Sequence, residues 1–185
     1  MKSESRTSYR RQLWDVAVDN YGYITTRMAV GVGVPAVELP KLAARGGLDR
    51  VGHGIYRFED LPSTDRDQFM EAVLQGGEGA FLYGDAVLSL LDLAQVNPRV
   101  IRVGIPRRAR IQFPGYMEAK RMAVEPHDLT TYEGIPSTTV GRALLDCRTI
   151  VMAERLEAAV EEATQRGLLT RLEKSRVSQL LGATS

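Results

Sequence analysis

A single cysteine, only two histidines and a net charge of +1 stand out in this sequence of 185 residues. Cys147 has no partner for an internal disulfide. It lies in the apolar run Ala143-Leu144-Leu145-Asp146-Cys147, where a buried, inert thiol is expected. His53 and His127 have no second histidine, cysteine or paired acid at metal-ligand spacing, which argues against a zinc site. No run of about 18 apolar residues exists to span a membrane. The opening Met1-Lys2-Ser3-Glu4-Ser5-Arg6 has no apolar core of a signal peptide, so a cytoplasmic chain is expected.

Signatures of catalysis are missing as well. Gly76-Gly77-Glu78-Gly79 is followed by no Lys-Ser/Thr, so it is not a phosphate-cradling loop. Gly31-Val32-Gly33 resembles half of a dinucleotide fingerprint, but it ends a short helix and no parallel strand precedes it. Adjacent acids such as Glu161-Glu162 point apart on a helix and cannot form a general acid/base couple. Neither a cofactor nor an enzymatic activity is expected.

The composition, 44% hydrophobic and 25% charged, is that of an ordinary globular protein. The length suffices for one large domain or two small ones. The near-neutral total hides an uneven distribution: residues 61–98 hold one Lys/Arg against six Asp/Glu, and residues 99–121 hold seven against one. That basic strip either meets an anion or acidic partner, with Arg107, Arg108 and Arg110 as its densest cluster, or is a solvated sheet face.

Residues 22–58 organise the rest. Met28, Ala29 and Val30 lie in a short helix opened by Thr25, a side chain suited to N-capping, and closed by Gly31-Val32-Gly33. A second helix follows, with Val34, Val37, Leu39, Leu42 and Ala43 at the spacing of one buried face and Gly46-Gly47 at its end. Then the period changes to that of strands. Residues 48–51 and 55–58 flank Gly52-His53-Gly54, a reversal suited to a hairpin. Two short helices followed by a tight hairpin is the order of a winged helix-turn-helix.

A first helix over residues 7–20 presents Tyr9, Leu13, Val16, Ala17 and Tyr21 on one side. Asp60-Leu61-Pro62-Ser63-Thr64 is the best domain boundary, dividing the chain into residues 1–61 and 62–185. Helical periodicity over 66–75 and 84–93 predicts a helix pair. β-Branched and alternating segments at 100–105, 110–113, 122–124 and 129–132 predict a small sheet. The last third is helical, and Thr170-Arg171-Leu172-Glu173 has the spacing of a capping box. The fold class is α+β: an N-terminal winged helix-turn-helix, then a mixed α/β domain with a small sheet and a helical C-terminus.

In helix-turn-helix proteins the start of the second helix meets base edges, while flanking cations and the wing meet phosphates. Here the exposed positions at that start are Pro35, Ala36, Glu38 and Pro40. None is a strong base reader, and Pro40 disturbs the helix unless the helix begins near Glu38. The DNA-contacting candidates are Arg27, Lys41, Arg45, Arg50, His53 and Arg57, with Arg6, Arg10 and Arg11 near the start. The other reading is a winged helix used for protein contacts.

The order Gly33-Val34, Leu39, Leu42, Arg45-Gly46 and Leu48-Asp49-Arg50-Val51-Gly52-His53-Gly54-Ile55-Tyr56-Arg57, joined to Ile135-Pro136-Ser137-Thr138-Thr139-Val140-Gly141-Arg142-Ala143-Leu144-Leu145-Asp146, resembles the AbiEi antitoxin family. The resemblance implies an antitoxin partnered with a nucleotidyltransferase-fold toxin encoded alongside it. It also implies repression of the shared promoter by a winged helix bound to inverted repeats, an operator that favours two copies on DNA. A second domain would be needed for neutralisation. Pro35 and Ala36 stand where the family usually has Ser and Arg-like residues. A related group carries a nuclease-like module, but the C-terminus here has no Asp … Glu-x-Lys arrangement on strands. A protein-interaction module and a stand-alone transcription regulator are the alternatives.

Overall fold

The computed structural model of the chain describes residues 2–107 and 112–182, with side chains from residue 9 onward. The chain forms two compact units, Met1–Gln75 and Gly76–Ser185. Helices and strands mix in both, giving an α+β fold.

In the first unit α1 (Lys2–Val18) buries Leu13 and Ala17 completely and is followed by β1 (Tyr23–Thr25). Next come α2 (Thr26–Gly31), α3 (Glu38–Ala43) and the strands β2 (Leu48–Gly52) and β3 (Ile55–Phe58). The order and spacing of α2 and α3 fit a helix-turn-helix. The three strands form an antiparallel sheet in the order β1-β3-β2. Tyr56 lies opposite Ile24 on one side and Arg50 on the other, and a bulge falls between Arg50 and Gly52. Sequence periodicity did not reveal β1, because its three residues are too few to show alternation and Tyr23 and Ile24 are both buried.

The core joins these elements through Leu13, Ile24, Ala29, Val34, Leu39, Leu48, Tyr56 and Phe58. Trp14 meets Phe58 edge-on at 5.2 Å between ring centroids, and the Arg10 guanidinium lies over both rings. α4 (Asp67–Gly76) completes the unit: the Gln75 amide donates to the Val51 carbonyl at 3.0 Å and the Tyr23 hydroxyl to Glu71 at 2.8 Å. Pro62, where composition placed a boundary, therefore lies inside the first compact unit.

The second unit contains β4 (Phe81–Leu82), α5 (Asp85–Leu90), β5 (Ile101–Ile105), β6 (Met117–Arg121), β7 (Leu129–Tyr132), β8 (Ile135–Thr138), α6 (Val140–Asp146), α7 (Ala153–Gln165) and α8 (Arg171–Gly182). Its sheet runs β6-β5-β4-β8-β7 and is mixed: β5 pairs β6 and β4 pairs β8 in parallel, and the other neighbours are antiparallel. β5 and β7 stand where alternation placed them. The strand expected at 122–124 is instead β6, five residues earlier in register with β5. Of the strand expected at 110–113, residues 110 and 111 lie outside the described residues and 112 and 113 have no regular structure. β4 interrupts the expected helix pair. It is two residues long and fully buried, so only its neighbours in space identify it as a strand. β8 carries Pro136, but it meets β4 only at Ser137 opposite Leu82, so no ladder bond is asked of the missing amide there.

Candidate nucleic-acid interface

Local chemistry sets the α2-turn-α3 element. The Thr25 side chain accepts from the Met28 amide at 3.1 Å and caps α2. The chain reverses through Gly33, at φ +80°, into Val34, which is fully buried. Helix α3 begins at Glu38, which puts Pro40 in its first turn, where amides have no acceptor within the helix and a proline costs little. This late start exposes a side chain that helical periodicity assigned to the buried face: Val37 is 61% exposed, while Leu39 is 0% exposed.

The hairpin is tied to the same element. The Thr26 amide donates to the Gly54 carbonyl at 2.8 Å. A Cβ at Gly54 would come within 2.9 Å of the Thr26 hydroxyl at a positive φ of +69°, so the hairpin loop and α2 fit only around glycine.

Five of the six candidate DNA contacts are exposed on this surface: Arg27 on α2, Lys41 on α3, Arg45 just after it, Arg50 on β2 and His53 at the hairpin tip. Lys41 donates to Glu38 at 2.7 Å, which holds the one acid of the α3 start against a cation. Arg50 donates from Nε to the Gly52 carbonyl at 3.3 Å. Arg11 is exposed, Arg10 is held by Asp60 at 2.6 Å, and the Arg6 side chain lies outside the described residues.

Arg57 is different and leaves the set of contacts. Its Nη2 donates to Asp67 at 2.9 Å, to the carbonyls of Leu61 and Pro62, and to the Ser63 hydroxyl, while Nη1 reaches the Phe58 carbonyl. Only 15% of its side chain and 10% of that of Asp67 are accessible. Asp67 also accepts from the amide and hydroxyl of Thr64. Arg57 therefore folds residues 58–67 around itself, and its charge is spent on structure. Burial, with the hydrogen bond to Glu71, raises the pKa of the neighbouring Tyr23 and keeps its phenol protonated.

In the second unit the basic strip is partly neutralised. Arg102 is paired with Asp85 and lies 3.7 Å from Glu118, and the Asp85 hydrogen bond raises its pKa. Arg107 is exposed; Arg108 and Arg110 lie outside the described residues. Cys147 is fully buried, and desolvation pushes its thiol up to about 12, which makes it a poor nucleophile. A recess of about 530 Å³ gathers Arg142, Arg148 and Arg176 with Asp128, Asp146 and Glu173, so its walls carry balanced charge. Arg142 bridges Asp128 at 3.1 Å and Asp146 at 2.9 Å. Among the described residues no group of three His, Cys, Asp or Glu could hold a metal ion, and no helix is long and apolar enough to cross a membrane.

The N-terminal unit thus joins two helices whose order fits a helix-turn-helix to a hairpin, with exposed cations on both. Residues 11–58 match the family model described as transcriptional regulator, AbiEi antitoxin. The match spans α2, α3 and the whole hairpin and ends at Phe58. Among solved structures, that of the RV2827C protein from Mycobacterium tuberculosis is similar over 95% of this chain and 76% of its own, at 15% identity and a TM-score of 0.50. At that identity the likeness is one of fold. No curated protein matches the chain.

Proposed function

We propose that this chain is a non-catalytic antitoxin that neutralises a co-encoded nucleotidyltransferase-like toxin and represses its own operon by DNA binding through a winged helix. The observation that carries the regulatory half is the disposition of Arg27, Lys41, Arg45, Arg50 and His53, all exposed on the helix-turn-helix and its hairpin. In this reading α3 enters the major groove, the hairpin is the wing beside it, and the cations take phosphates. The AbiEi match supports the antitoxin half. An inverted-repeat operator would seat two copies.

Two measurements test the two halves. Cells expressing the neighbouring nucleotidyltransferase-like gene should resume growth when this chain is co-expressed; continued arrest sinks neutralisation. The chain should retard its own promoter fragment with affinity falling steeply in salt, by about 0.9 in logarithmic slope per phosphate neutralised. A stable complex with the toxin and no retarded fragment at any salt would favour the second reading, a protein-interaction module, for which the exposed Val30 and Val37 speak.

A further inference from the structure

We infer that the turn into α3 reads thymine methyl groups in the major groove, with Val37 as the main contact and Ala36 and Pro40 beside it. The inference rests on the DNA-binding reading above and adds to it what the surface selects.

The start of α3 combines two properties. First, its side chains are presented: Val37 is 61% exposed and Ala36 and Pro40 are exposed, while Val34 and Leu39 anchor the same stretch at 0%. Second, it lacks the chemistry of hydrogen-bonded base reading. That reading uses Arg or Lys on guanine, Asn or Gln on adenine, and an acid on the cytosine amine. Between Val34 and Lys41 the one polar side chain is Glu38, and its Oε1 is already occupied by the Lys41 ammonium at 2.7 Å. What remains is apolar contact, and the one apolar group a base pair offers in the major groove is the thymine C5-methyl.

Charge decides the occupant. Arg27, Lys41, Arg45, Arg50 and His53, carried on the same helix-turn-helix and hairpin, are exposed, and their positive charge complements phosphates. The apolar patch of a protein partner would not call for it. Covering one methyl is worth about four-fold in affinity, the equivalent of roughly 0.8 kcal/mol.

The test uses the full chain and duplexes selected by it from a random pool. The selected sites should carry thymine at fixed positions. Replacing those thymines by deoxyuridine, which removes only the C5-methyl, should lower affinity about four-fold per methyl contacted. Val37→Ser, a change at an exposed position, should abolish the penalty at one position. Selective binding with equal affinity for thymine and deoxyuridine duplexes would overturn the inference and leave the DNA-binding reading standing. A Val37→Ser chain as sensitive to deoxyuridine as the parent would overturn the role of Val37. Failure to bind any duplex at low salt would overturn the inference and the DNA-binding reading together.

Discussion

Arg57 and Arg45 belong to the same unit and are both basic residues in the family-matched segment, yet the fold uses them in opposite ways. Arg57, at the end of the hairpin, is 15% accessible and bound to a carboxylate, three carbonyls and a hydroxyl. Arg45, after α3, is exposed. The contrast recurs in the second unit, where Arg102 is tied to Asp85 and Arg107 is exposed. Charge counted along a sequence measures supply. Whether a cation is available to a partner depends on which acids and carbonyls the fold brings to it.

The comparison can be broken most easily at Arg57. Arg57→Ala leaves Asp67 with only 10% of its side chain accessible and removes the tether of residues 58–67, so unfolding of the chain should become easier by about 3 kcal/mol. The measurement is the urea midpoint, and an unchanged midpoint would return Arg57 to the list of surface cations. Arg102→Ala comes next. Asp85 is 11% accessible and its Oδ1 has no partner among the described residues, so losing the guanidinium should cost about 2 kcal/mol in the same experiment. A null result there would mean that water replaces Arg102. Arg45→Ala gives the smallest change in stability, within about 0.5 kcal/mol. Its effect should fall on DNA, lowering the salt slope of binding by about 0.9. If Arg57→Ala and Arg45→Ala altered stability equally, the distinction between structural and presented cations would fail.

Much of the first unit was legible along the chain because the interactions that set it are local. Thr25 caps α2 through the amide three residues on, and α3 starts at Glu38, the start at which Pro40 does not disturb it. Gly52-His53-Gly54 turns the hairpin at the expected residues. In the second unit Thr170 and Glu173 close a capping box in both directions, Glu173 accepting from the Thr170 amide and the Thr170 hydroxyl from the Glu173 amide. The hydrogen bonds to its carboxylate lower the pKa of Glu173. Each of these depends on side chains and amides within one turn of helix or one hairpin, so the sequence by itself determines them.

Tertiary structure decided the rest. β1 and β4 are strands because distant segments supply their hydrogen bonds, and two or three residues are too few to announce a period of their own. Val37 looked like a core residue by helical spacing, but the three-four rule holds only inside a helix, and Val37 stands before α3 begins. Arg57 looked like a wing residue; its partner Asp67 is ten residues away, across a loop whose path no local pattern specifies. Sequence therefore fixes what a residue can do within its own turn of chain, and packing between separated segments selects which of those capacities reach the surface.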